Sequence, residues 1–250
     1  MESRSKFIVA ALLLCTLLGG CGTKANAPAN EGRHEDATSS GTQLKTTSAA
    51  GEPDRCKWPV IVCFGDSLTA GVAGTPYPEQ LQEILDENEY RYRVDNQGVS
   101  GDTTTDGLAR IDNVIAAKPA LVLLEFGGND GLRGVPVTET KKNLEEMIAK
   151  LQAAHLRVVL LGITLPPNYG PDYVKPFTAM YPELAKQFHL TYLPFLLVDV
   201  YKHPEMMQQD GIHPNGAGNH IVAEDVFKLI QPMLKKEPKS QDASGHPGRG

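Results

Sequence analysis

Five short strand-like runs, each followed by a longer amphipathic stretch, set the strongest constraint on what this chain can fold into. The runs Pro59 to Phe64, Arg91 to Asn96, Ala120 to Phe126, Arg157 to Ile163 and Thr191 to Phe195 predict strands. The stretches Tyr77 to Glu89, Thr104 to Ala117, Thr138 to Ala154, Tyr173 to Phe188 and Gly216 to Leu234 predict helices. In the third of these, Leu144, Met147, Ile148 and Leu151 keep the three- and four-residue spacing of an apolar stripe. Strands alternating with helices in this way predict an α/β fold, a parallel sheet covered by helices on both faces. Ligands of such open sheets gather at the carboxyl ends of the strands, so chemistry is to be sought in the residues that leave them.

The folded unit is bounded by segments of a different character. Arg4 and Lys6 precede the apolar run Phe7 to Leu18, which is too short to span a bilayer, and residues 1–20 read as a signal that is removed. The next residues, Leu18-Gly19-Gly20-Cys21, resemble the lipobox of bacterial lipoproteins. That resemblance implies that Cys21 carries acyl chains, whose burial at about 0.8 kcal/mol per methylene would hold the protein on a membrane. Residues 22–57 are rich in Ala, Gly, Ser, Thr, Asn and Pro, with Leu44 their only large aliphatic residue, and are expected to form a disordered tether. As a flexible coil this tether would reach roughly 30 to 36 Å. The tail 235–250 is expected to be disordered too, which leaves residues 58–234 as one domain.

Composition excludes some partners. With 41% apolar and 22% charged residues the chain can build a core, and its net charge of -6 offers no broad basic surface for nucleic acid. A monomer is the expected working state. Cys15 leaves with the signal and Cys21 takes lipid, so only Cys56 and Cys63 could pair. Seven extended residues span about 20 Å, well beyond a disulfide's reach of about 7 Å. Cys63, inside Val60-Ile61-Val62-Cys63-Phe64, reads as a small core residue, with a folded-back Cys56 as the alternative.

Four loops carry unusual residues. The first strand runs into Gly65-Asp66-Ser67-Leu68-Thr69-Ala70-Gly71, which puts a hydroxyl on the turn leaving the sheet, among neighbours small enough for an acyl group to approach. Thr69 stands where the G-x-S-x-G elbow has its last glycine, which disfavours an α/β-hydrolase. Asp210-Gly211-Ile212-His213-Pro214-Asn215 precedes the final helix, and its spacing lets one turn join a carboxylate to one ring nitrogen while the other faces Ser67. Such an Asp fixes the tautomer and stabilises the imidazolium formed when His213 takes a proton. The second strand leads into Asn96-Gln97-Gly98-Val99-Ser100-Gly101-Asp102, and the third into Phe126-Gly127-Gly128-Asn129-Asp130. The Asn129 amide and the Gly101 backbone N–H are candidate donors to an oxyanion. Each loop alone reads equally well as ordinary turn chemistry, but four on one sheet edge do not.

These blocks, Gly65-Asp66-Ser67-Leu68, Gly101, Gly127-Gly128-Asn129-Asp130 and Asp210-Gly211-Ile212-His213-Pro214, resemble in order the four blocks of the SGNH (GDSL) hydrolase family. The likeness runs over nearly the whole folded unit. It implies a flavodoxin-like three-layer α/β/α sandwich with strand order 2-1-3-4-5. It also implies roles: Ser67 as nucleophile, His213 as base, Asp210 as its partner, and the Ser67 N–H, Gly101 N–H and Asn129 side chain as an oxyanion hole. No cofactor or metal is called for. The stretches Leu123 to Gly134, Pro166 to Gly170 and Met207 to Asn215 resemble members that act as thioesterase, lysophospholipase and arylesterase. From these members Leu165, Pro166, Pro167, Asn168, Tyr169 and Gly170 are expected to wall the acyl site, with a small acyl ester or thioester as substrate. A carbohydrate O-acetylesterase and a non-catalytic surface lipoprotein are the competing readings, and a metal site from Asp210, His213 and His220 is the weakest.

Overall fold

A computed structural model describes residues 55–236. The expected signal 1–20, the lipidated Cys21, the tether up to residue 54 and the tail from residue 237 lie outside the described residues. At the start of the described chain Arg55–Lys57 form a short 3-10 turn. Arg55 pairs with Asp86 at 3.1 Å and lies over the ring of Trp58, so this residue of the expected tether holds to the domain.

The elements follow in the order β1 (Val60–Phe64), α1 (Ser67–Ala70), α2 (Tyr77–Glu87), β2 (Arg93–Asn96), α3 (Thr104–Ala116) and β3 (Leu121–Glu125). Then come α4 (Gly128–Leu132), α5 (Val137–Ala153), β4 (Val158–Leu161), α6 (Pro171–Gln187), β5 (Thr191–Leu193) and α7 (Gly216–Ile230). All five strands are parallel, in the order β2-β1-β3-β4-β5. Right-handed crossovers in a sheet of that order send α2 to one face and α3, α5 and α6 to the other, and α7, which follows the last strand, joins α2. The packing agrees: α2 lies against α7, while α3 packs on α5 and α5 on α6.

Elements end where the residues require it. Thr103 and Asp106 form a capping box that starts α3. Pro194 has no N–H to give a ladder, and β5 stops at Leu193, short of the expected Phe195. The last helix ends at Ile230 and tightens into a 3-10 turn over Gln231–Met233, where Pro232 takes away a donor. The middle strands β3 and β4 are buried throughout, as apolar runs in a two-sided sheet must be. Cys63 is a free, fully buried thiol in β1. Among the described residues no helix is long and apolar enough to cross a membrane.

Candidate active site

The strand order reverses between β1 and β3, and the loops leaving these two strands face each other there. β1 gives way through Gly65 and Asp66 to the single turn α1, with Ser67 as its first residue. Asp66 caps that turn, its Oδ1 accepting from the Leu68 N–H at 3.0 Å. Beneath it lies Glu125, the fully buried last residue of β3, whose Oε2 accepts from the Asp66 N–H at 3.1 Å and from the Thr69 hydroxyl at 2.9 Å. A Cβ on Gly65 would collide with Thr69 Oγ1 and the Glu125 carboxylate, so this close passage demands glycine.

The two carboxyl groups are unusual chemically. Burial pushes Glu125 well above the ordinary carboxylate range and the negative charge of Asp66 pushes the same way, while the bonds from the Asp66 N–H and Thr69 pull it back only in part. Burial also raises Asp66, against the lowering effect of its bonds from Leu68, Glu125 and Asn129 and of the nearby His213. Two carboxyl groups in one dry site favour holding a proton between them.

His213 reaches the same place from the other end of the chain. Its Nε2 lies 2.8 Å from Ser67 Oγ and its Nδ1 lies 2.7 Å from Asp210 Oδ2. The other oxygen of Asp210 accepts from the Ile212 N–H at 3.0 Å and the His213 N–H at 3.1 Å, so the carboxylate holds both ring and backbone of its partner. Partial burial pushes the Asp210 pKa up, but the bonds from the His213 ring, the Ile212 N–H and the His213 N–H outweigh it and hold the carboxyl below its ordinary value. The loop is pinned by the Gln208 N–H donating to the His213 carbonyl at 2.8 Å and the Asn215 N–H to the Met206 carbonyl at 2.9 Å. Asn215 then caps α7 through Ala217 and Gly218. His220 is turned elsewhere, its Nδ1 3.0 Å from Gln80 Oε1, and among the described residues no three metal-binding side chains come together.

Asn129, in α4, points its amide back toward the Ser67 turn. Its Nδ2 donates to Asp66 Oδ2 at 3.1 Å and to the Asp102 carbonyl at 3.0 Å, so both amide hydrogens have acceptors. Gly101 sits in the loop after β2 at φ +88°, in the left-handed region, and its carbonyl accepts from Arg133 Nη2 at 2.9 Å. Ser67, Asn129 and His213 line one groove, whereas Gly101 is outside its lining.

The groove is mainly apolar, walled by Leu68, Leu132, Ile163, Leu165, Pro166, Phe195, Leu197, Tyr201 and Ile212. Of the six residues expected to form an acyl wall, Leu165 and Pro166 do line it. Pro167, Asn168, Tyr169 and Gly170 lie outside its lining. Pro167–Tyr169 wind into a 3-10 turn that leaves Pro167 and Asn168 exposed. Tyr169 supports the wall from behind, its hydroxyl donating to the Leu132 carbonyl at 3.1 Å. Sequence reasoning missed Phe195, Leu197 and Tyr201. They follow β5 at its carboxyl end, and the rule that located the other loops could have found them.

A hydroxyl, an imidazole and a carboxylate in line, beside an apolar groove at the carboxyl edge of a doubly wound sheet, are the parts of a serine hydrolase. The chain matches the GDSL-like Lipase/Acylhydrolase family over residues 63–221 and belongs to it. It is 42% identical to Esterase TesA of Pseudomonas aeruginosa over 178 residues, 70% of this chain and 89% of the relative. Thioesterase 1/protease 1/lysophospholipase L1 of Escherichia coli K12 is 39% identical over 181 residues, 71% of this chain and 86% of the relative. Among solved structures, esterase EstA from Pseudoalteromonas sp., inhibited by monoethylphosphonate, superposes with a TM-score of 0.65 at 32% identity, covering 70% of this chain and 97% of its own.

Proposed function

We propose that this protein hydrolyses carboxylic esters or thioesters of fatty-acyl, aryl or lysophospholipid type through an acyl-Ser67 intermediate. The observation that carries the reading is the line of contacts from Ser67 Oγ through His213 to Asp210, at 2.8 and 2.7 Å. His213 Nε2 takes the hydroxyl proton as Ser67 Oγ bonds to the acyl carbon, and Asp210 keeps the other nitrogen protonated and steadies the imidazolium. The carbonyl oxygen becomes an anion, met by the N–H groups of Ser67 and Gly101 and by Asn129. Asn129 serves by sharing a hydrogen now held by Asp66 or Asp102. His213 returns the proton to the departing alcohol or thiol, and a water molecule repeats the sequence on the acyl-serine.

The apolar groove supports acyl chains over acetyl groups, since each buried methylene adds about 0.8 kcal/mol. The names of the relatives, an esterase and a thioesterase with lysophospholipase activity, support the same range of substrates. The lipobox at Leu18 to Cys21 and the basic-then-apolar start support an exported enzyme tethered to a membrane by lipidated Cys21.

The test is hydrolysis of p-nitrophenyl esters and acyl-CoA thioesters from acetyl to long acyl, by the parent and by Ser67→Ala. We expect kcat/KM to rise with chain length beyond acetyl and the variant to lose turnover by about 10⁵-fold or more. A preference for acetylated sugars over acyl esters would instead assign an O-acetylesterase.

A further inference from the structure

Arg110, in the second turn of α3, takes no part in the mechanism above, yet it touches each loop that the mechanism uses on the sheet side. Its Nε donates to Asp102 Oδ2 at 2.7 Å, its Nη1 to the Gln97 carbonyl at 2.8 Å and its Nη2 to the Gly65 carbonyl at 2.9 Å. The guanidinium carbon lies 4.4 Å from the centroid of the Phe64 ring and 5.6 Å from that of Phe126, and these two rings meet edge to face at 4.9 Å. Phe64 ends β1 and Phe126 follows β3, so the planar group is stacked at the mouth of the sheet while its fork joins the loops that follow β1 and β2. With side chains 21% and 14% exposed, Arg110 and Asp102 form a pair that water screens poorly.

What these contacts hold in place is specific. The Asn129 amide has two acceptors, the Asp102 carbonyl and Asp66 Oδ2. Arg110 grips the first at its own residue and the second one peptide away, at Gly65. Gly101, the other candidate donor, is bonded directly to Asp102 in the chain, and Gln97 begins the same loop. We propose that Arg110 is a positioning residue for the oxyanion hole: its fork sets the distance between the Ser67 turn and the Gln97 to Asp102 loop, and thereby the aim of the Asn129 amide. This inference rests on the acyl-transfer reading of the site. Misplacing a donor by an ångström costs as much as about 10²-fold in rate, which gives the arrangement its leverage.

A double-mutant cycle of Arg110→Ala and Asn129→Ala tests the proposal, with kcat and KM for p-nitrophenyl butyrate measured per active site titrated by an organophosphonate. Arg110→Ala should lower kcat per titrated site by about 10- to 100-fold with KM little changed. Added to Asn129→Ala, it should cost no more than about a further twofold, because the group it aims has gone. Losses that multiply, or a fall accounted for wholly by fewer titratable sites, would show that Arg110 only supports the fold. Arg110→Lys, which keeps the charge but not the planar fork that spans three acceptors, takes the place of the alanine variant if that fails to fold, and the same criteria decide. Full activity in Ser67→Ala would break the underlying acyl-transfer reading instead. An Asn129→Ala variant as fast as the parent would remove the oxyanion role and the Arg110 proposal with it.

Discussion

The two halves of the site are held in opposite ways. On the sheet side the Ser67 turn and Asn129 are fixed by bonds between residues far apart in sequence, through buried Asp66 and Glu125. On the other side the Asp210–His213 loop is fixed almost entirely by its own residues, and the Asp210 side chain is 40% exposed. A donor aimed at a developing charge gains by rigidity, because it need not reorganise as the charge appears. An imidazole that takes and returns a proton gains by a carboxylate that stays ionised near water. Substitutions in the exposed loop should therefore change rate without stability, whereas those in the buried half should couple the two.

The sharpest break in that contrast should come from Asp210→Asn. It keeps the shape of the loop but loses the charge and the tautomer control, and kcat should fall by about 10³- to 10⁴-fold. Thermal unfolding should stay within a few degrees of the parent, because the side chain is partly exposed and its bonds are confined to its own loop. A large drop in melting temperature would show that this loop is structural as well. Asn129→Ala comes next, with kcat lower by about 10²- to 10³-fold and KM nearly unchanged, as for a donor used mainly in the transition state. Unlike Asp210→Asn it should also destabilise the fold measurably, since Asp66 and the Asp102 carbonyl each lose a donor.

The smallest effect should come from Glu125→Gln. Its folded pKa stands above the ordinary 4.5, so the unfolded chain releases this proton first. Glu125 thus contributes stability that is complete below about pH 4.5 and is lost as the pH rises toward its folded value, by at most about 1.4 kcal/mol per pH unit. Glutamine keeps an oxygen for the Asp66 N–H and Thr69 and has no proton to lose. Urea unfolding at pH 5 and pH 8 should show a smaller loss with rising pH in the variant. Parallel losses in the two proteins would mean that Glu125 ionises freely in the fold.

The same contrast explains what could be read from the sequence. Asp210 and His213 sit three residues apart, so their partnership is a local pattern, and Ser67 and Asn129 declare themselves by following strands. Glu125 does not: in Leu121-Val122-Leu123-Leu124-Glu125-Phe126 it is one acid at the end of a buried run, and its role exists only through Asp66 and Thr69, more than fifty residues away. Arg110 is silent for the same reason, a helical arginine whose partners lie on three other segments. Of the expected acyl wall, the sequence shows most plainly the part next to the strand. Leu165 and Pro166 follow β4 into the groove, but the prolines after them announce stiffness without direction, and the 3-10 turn takes Pro167 and Asn168 outward.

Covalent capture tests whether Ser67 is the acyl acceptor. The enzyme would be incubated with a fluorophosphonate, digested, and the modified residue located by tandem mass spectrometry, with Ser67→Ala treated in parallel. The reading predicts one adduct per chain, on Ser67, slowed strongly by Asp210→Asn and absent from Ser67→Ala. An adduct on another residue, or equal labelling of Ser67→Ala and the parent, would contradict it.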